Sequence, residues 1–228
     1  MLVKEIEPLI SQFEQSNWAK DDMQLSQSAL VHICRRLEKR EEPYQFLELG
    51  GGASTLFWKT ICEDGSIPVR VTTMDHRREW ASLLAQNTAY REEIQIKWCA
   101  LKQVNEEEWE ELFSQPQRAE EKWRECGHPL KASRYDFVTI NNTFYQEIPL
   151  SCDRIDVLIV NGPHGNGRSL AFPLLYSKLD AGSLILINDF DRHPYLQDLE
   201  RLYRYEEIYR DVRRYNRWVL VRIEDRKQ

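Results

Sequence analysis

The chain has 228 residues, of which 42% are hydrophobic and 30% charged, with a net charge of −6 at neutral pH and a sequence pI near 5.5. That length suits one large domain, or a domain with an extension, and is enough to bury a sizeable core. The acidic balance argues against a non-specific nucleic-acid binder, whose phosphate contacts require a basic surface.

The N-terminus, MLVKEIEPLISQFEQSNW, carries Glu5, Glu7 and Pro8 within its apolar part and is no signal peptide. No stretch reaches the roughly 18 uninterrupted apolar residues of a membrane span, so no membrane contact and a cytoplasmic location are expected. The five cysteines (Cys34, Cys62, Cys99, Cys126 and Cys152) are far apart and odd in number. This argues against a zinc site or a full disulfide framework, and they are expected to be mostly small buried residues.

In chain order, Leu2, Ile6, Leu9, Ile10 and Phe13 recur at helical spacing. A second helix is expected over about Leu25 to Lys39, with Leu30, Ile33, Cys34 and Leu37 on one face, before Pro43 ends the helical region. Residues 1–42 therefore read as an N-terminal helical extension and 43–228 as the main domain. From Tyr44 onward, short apolar runs alternate with helical stretches: FLEL, VRVTTM, IQIKWC, then DVLIV, SLILIN and RWVLVRI. Strands apolar on both faces and separated by helices predict a largely parallel sheet covered on each side, an α/β three-layer chain.

One region breaks the alternation. An acidic insertion over about 105–126 places Trp109, Leu112, Phe113 and Trp123 among glutamates. It reads as a solvated helical pair docked by its aromatics; the sharper alternative is an acidic lid beside the site. After it, YDFVTINNTFYQEI alternates like a hairpin arm, with Asn141-Asn142 as its turn. The arginines between Arg201 and Lys227 are expected on the solvated faces of a helix and a closing strand pair.

The stretch FLELGGGASTLFW (Phe46 to Trp58) carries the strongest chemical signal. Glycines between a strand and a helix free the backbone and expose N–H groups near the positive end of the helix dipole, where a ligand can lie on the main chain. A tight turn without a ligand explains the triplet equally well. Ser54 or Thr55 suits the helix N-cap. The next strand ends in Asp75, an acid placed to accept from both hydroxyls of a ribose, as NAD-type and adenosine-type ligands require. Gly50, Gly51 and Gly52 supply two positions of G-x-G-x-x-G, but the sixth position is Thr55, which spoils the dinucleotide fingerprint. Glu48, near the strand end, can hold an ammonium group. S-adenosyl-L-methionine (SAM) carries one and NAD does not.

Glu48-Leu-Gly50-Gly-Gly52 and Thr73-Met74-Asp75-His76 resemble the first two motifs of class I SAM-dependent methyltransferases. IDVLIVNGPHGNGRS resembles the fourth-strand segment of a subset acting on sugars and natural products, which typically reads VDGP. LDAGSLILINDFDR resembles their fifth-strand segment. The resemblance implies a Rossmann-like, seven-stranded, mostly parallel sheet with an antiparallel last strand. It also implies SAM as cofactor, with Gly50 and Gly52 facing its methionine part, Glu48 near its amino group, Asp75 on the ribose and His76 beside the adenine. Gly51, Ser54, Asn161 and Gly162 complete the implied cofactor surface, and no metal is assigned.

Ligands of open parallel sheets bind outside the carboxyl ends of the strands. Asn161-Gly162-Pro163-His164 and Asn188-Asp189-Phe190-Asp191 fall on that rim. A hydroxyl acceptor needs a base, for which His164, Asp189 and His193 are candidates, with His164 and Asp189 preferred. The plain alternatives are that His164 decorates a turn and that Asp191 or His193 caps the helix opened by Pro194. Arg168 either steers an anionic acceptor or sits on a helix surface. Asn161 stands where the resembling enzymes usually carry an acid. The expectation is a SAM-dependent O-methyltransferase of a small-molecule hydroxyl, whose extension and insertion shape the acceptor pocket or a homodimer contact. A nicotinamide-dependent Rossmann oxidoreductase and a non-catalytic methyltransferase-like binding protein are the rivals.

Overall fold

The computed structural model describes Pro8, Ser11 and residues 25–89, 91–135, 140–213 and 217–227. The opening helix expected around Leu2 to Phe13 lies, apart from Pro8 and Ser11, outside the described residues. The second expected helix is present but shorter, as α1 (Gln27–Cys34). The Tyr44 hydroxyl accepts the Glu38 amide and donates to the Glu38 carbonyl, which turns the chain toward its first strand soon after the helix ends.

That strand, β1 (Tyr44–Leu49), is followed by α2 (Ala53–Asp64), β2 (Val69–Asp75), α3 (Arg78–Asn87) and β3 (Ile94–Trp98). Beyond a long excursion come β7 (Val157–Val160), β8 (Leu184–Asn188), α6 (Tyr195–Leu202), β9 (Tyr203–Asp211) and β10 (Trp218–Arg226). The seven strands lie in the order β3-β2-β1-β7-β8-β10-β9. All contacts from β3 to β8 are parallel, and β10 is antiparallel to both β8 and β9. The expected seven-stranded Rossmann-like sheet with an antiparallel closing pair is therefore present.

Period-two alternation explains the layers. Leu47, Leu49, Leu158, Val160, Ile185, Ile187, Val219 and Val221 belong to one buried cluster. Their neighbours Phe46, Val157, Ile159, Leu184, Leu186, Trp218 and Leu220 belong to the other. α1 and α2 close the second face through Ala29, Leu30, Ile33, Phe57, Trp58 and Ile61, so α1 shares the core of the sheet. Each such fully buried large side chain contributes roughly 1.5–3 kcal/mol.

The excursion holds a small antiparallel sheet, β5 (His128–Pro129), β4 (Leu101–Gln103) and β6 (Thr143–Tyr145), with β4 in the middle. Between β4 and β5 stand α4 (Glu106–Ser114) and α5 (Ala119–Glu125). Asn105 caps α4: its side chain accepts the Glu108 amide at 2.9 Å and the Glu108 carboxylate accepts the Asn105 amide at 2.9 Å. Trp109, Leu112, Phe113 and Trp123 are buried in the first cluster, while Glu107, Glu110, Glu111, Glu120 and Glu121 are exposed. The insertion is the docked helical pair. Asn142 takes a left-handed conformation (φ 52°) at the expected turn, and the strand after it pairs with β4. The other arm of that expected hairpin, 136–139, lies outside the described residues.

The five cysteines are free. Cys34 and Cys99 are buried, and burial pushes both thiols up to about 12. The other three are only partly buried, against the expectation that most would be interior.

Candidate functional site

Four polar residues stand at or beside the carboxyl tips of four adjacent parallel strands: Asp75 on β2, Glu48 on β1, Asn161 after β7 and Asn188 on β8. Each lies an even number of residues from a member of the second cluster (Val71, Phe46, Ile159, Leu186), so all four share one face of the sheet. The strand register sets their spacing.

Glu48 pairs across the sheet with Thr73. Its Oε2 accepts from Thr73 Oγ1 at 2.8 Å and from Thr55 Oγ1 at 2.5 Å. The carboxyl is fully buried. Burial pushes its pKa up, against the opposing pull of the Ser54, Thr55 and Thr73 hydroxyls. The Ser54 hydroxyl lies close enough to favour the charge, while Oε1 accepts no hydrogen bond of ordinary geometry from the described residues. Asp75 Oδ2 accepts the Gly51 amide at 3.3 Å, and its Oδ1 accepts the Arg77 amide at 2.8 Å. Two backbone N–H groups near the start of a helix thus fix the orientation of this carboxylate.

The three glycines have three different reasons. Gly50 has φ 84°, and a Cβ there would lie 2.8 Å from the Gly162 amide nitrogen. The turn after β1 thus packs main chain to main chain on the turn after β7. A Cβ on Gly51 would lie 2.6 Å from both Leu84 Cδ1 and Thr73 Cγ2. Gly52 is buried from solvent, yet a Cβ there meets nothing within 4 Å. Of the triplet, only Gly52 has empty space where a side chain would begin. Gly52, not Ser54 or Thr55, occupies the cap position of α2. Thr55 sits in the first turn, where its Oγ1 accepts the Gly52 amide at 3.0 Å while donating to Glu48. The residue that spoils the dinucleotide fingerprint is the one that ties the glycine turn to the acid.

His76 is buried, its Nδ1 3.8 Å from Asp75 Oδ1, with its ring 5.6 Å from Tyr135 and 6.1 Å from His164. The half-buried His164 therefore belongs to the same cluster. Asp189 takes a left-handed conformation (φ 51°) at the end of β8 and lies 3.5 Å from Arg192. Backbone strain in a residue other than glycine is frequent at functional rims. His193 and Asp191 do not cap the following helix: Pro194 takes the cap position without a side-chain bond, and Asp191 pairs with Arg217 at 2.8 Å. Burial lowers the His193 pKa, assisted by Arg168 and Arg192.

Arg168 does not lie on a helix surface. It is 6% exposed, donating to the Pro163 carbonyl at 2.7 Å and to the Asn188 carbonyl at 3.1 Å. Sequence reading also missed Thr73, Tyr145 (whose hydroxyl donates to Met74 O at 3.1 Å) and Trp80 (whose Nε1 donates to Gly51 O at 2.8 Å). The position of Thr73, opposite Glu48 on β2, was the one available signal. Two cavities lie elsewhere: one of about 700 Å³ near Gln45, Arg70 and Asp153 at the amino ends of the strands, and one of about 580 Å³ near Lys102, Trp123 and Gln146.

No family model matches the chain, and no curated protein does. Solved structures with a similar course include an O-methyltransferase from Bacillus cereus in complex with S-adenosylhomocysteine. It is 10% identical, with 97% of this chain and 90% of that one covered at a TM-score of 0.46. A TehB-like SAM-dependent methyltransferase from Corynebacterium glutamicum is 11% identical over 97% and 95%, also at 0.46. The Methanococcus jannaschii fibrillarin pre-rRNA processing protein is 12% identical over 87% and 74%, at 0.45. Likenesses at this level add nothing to what the site's own geometry supports.

Proposed function

We propose that this chain is a SAM-dependent methyltransferase acting on the hydroxyl of a small molecule such as a sugar or secondary metabolite. The observation that carries the reading is the glycine turn flanked by two buried carboxyls, Glu48 and Asp75, on adjacent strand tips, with open space at Gly52. The sheet order supports it against a nicotinamide enzyme. A dinucleotide fold adds its last strand in parallel, whereas here an antiparallel β10 is inserted between β8 and β9.

When bound, SAM supplies an already activated methyl group on sulfonium sulfur. The protein then has three tasks. Glu48 would take the cofactor's ammonium group. Asp75, already oriented by the Gly51 and Arg77 amides, takes the ribose hydroxyls. His164, next to the Gly162–Pro163 turn, takes the proton of the acceptor hydroxyl, and the half-buried rim limits water. Asp189 is the alternative base.

Calorimetric titration with SAM, S-adenosylhomocysteine and NAD tests this directly. Binding of both adenosyl ligands, with no response to NAD, is expected. Tight NAD binding without adenosyl binding removes the proposal. Asn161, an amide that cannot take a proton, favours one second reading, a cofactor-binding protein without turnover. Adenosyl binding with no methyl transfer to any hydroxyl acceptor would select it.

A further inference from the structure

The tips of β7 and β8 carry two amides joined by one hydrogen bond. Asn188 Nδ2 donates to Asn161 Oδ1 at 2.8 Å. Asn188 is 5% exposed, and its buried Oδ1 has no partner among the described residues. The guanidinium of Arg168 lies against the same tips, bonded to the Pro163 and Asn188 carbonyls.

The nearby carboxylates are already committed to cations: Asp189 lies 3.5 Å from Arg192 and Asp191 lies 2.8 Å from Arg217. Among the described residues, no group of three or more His, Cys, Asp or Glu side chains could hold a metal ion. A divalent cation takes several oxygen ligands, and their charge sets its affinity. Neutral amides bonded to one another offer little, and a buried guanidinium beside them repels a second positive charge strongly where the dielectric is low. The donor set at these tips therefore does not fit a divalent cation.

We propose that Asn161 and Asn188 form a neutral amide latch that shuts divalent cations out of the rim. The latch deepens the methyl-transfer reading, and its bearing on the reaction rests on that reading: removal of the acceptor's proton falls to a side chain and not to a metal. With aspartates in place of the two amides, the same pair of tips becomes a cation site.

Mn²⁺ alone is the probe, followed by its paramagnetic resonance in the full-length chain, with S-adenosylhomocysteine titrated calorimetrically in parallel. The wild type is expected to leave Mn²⁺ free up to about 1 mM, the weak end of protein cation sites. The double variant N161D/N188D is expected to bind it at least ~10-fold more tightly, as charged oxygens replace neutral ones. Micromolar Mn²⁺ binding by the wild type overturns the latch, as does a double variant no better than wild type. Should circular dichroism show the double variant unfolded, Asn161→Asp, at the half-buried member of the pair, is read by the same criteria. Absent S-adenosylhomocysteine binding with the expected Mn²⁺ behaviour sinks the cofactor reading and leaves the latch standing.

Discussion

The two halves of the rim are built from the same geometry and opposite chemistry. On β2 and β1 the tips carry carboxyls, held by outside donors: the Thr55 and Thr73 hydroxyls for Glu48 and the Gly51 and Arg77 amides for Asp75. On β7 and β8 the tips carry amides, and these bond to one another. A buried carboxyl is costly unless several donors surround it. The two amides carry no charge of their own, and the charge beside them is the buried guanidinium of Arg168. One half is thereby suited to a cationic, hydroxylated ligand, and the other disfavours cations. In the proposed enzyme, the first half binds and the second reacts.

The sharpest way to break that division is at His164. Replacing it with Ala should lower methyl transfer by roughly 10²–10⁴-fold, the usual worth of a general base. S-adenosylhomocysteine affinity, measured by calorimetry, should hold. An equal loss of affinity would place His164 with the binding half. Gly50→Ala attacks the seam between the halves. It forces a side chain into a left-handed position against the Gly162 amide and should cost about 2–4 kcal/mol in urea unfolding. Gly52→Ala, facing open space, should cost under about 1 kcal/mol. Equal costs for the two would show that the glycines are not differentiated as described.

Asp75→Asn tests the binding half alone. Loss of charge-assisted bonds worth about 1.5–3 kcal/mol should weaken S-adenosylhomocysteine roughly 10- to 100-fold. Turnover at saturating cofactor should change far less.

The smallest effect concerns pH. Burial raises the Glu48 pKa in the folded chain above its unfolded value, so the folded state keeps the proton longer. The resulting stability is fully present below the ordinary carboxylate range and is lost as pH rises through the raised value. Melting temperatures followed upward from pH 4 should fall more for the wild type than for Glu48→Gln. Parallel curves would show that the carboxyl bears no such cost.

Much of this was legible in the sequence because strands buried on both faces announce themselves. FLEL, VRVTTM, DVLIV and SLILIN each became a strand, and their ends placed Glu48, Asp75, Asn161 and Asn188 on one rim. What escaped was either short or distant. β4 has only three residues, too few for any periodicity. The Gly50–Gly162 contact and the Arg168 bonds to the strand tips depend on which turns meet in space, and spacing along the chain does not report that. Thr55 was read only against a motif. Its actual work, bonding Glu48 and the Gly52 amide, needed the coordinates of the turn.

The backbone-on-backbone seam between Gly50 and Gly162 acts like a welded joint. In the proposed enzyme, peptide atoms then set the spacing between the turn on the cofactor side and the turn on the acceptor side. Tuning for a new acceptor must therefore come from the pieces that border the joint, namely His164, Tyr145 and the small sheet behind them. A lineage built on this frame could change what it modifies by recutting that border, while the reach of the transfer stayed fixed.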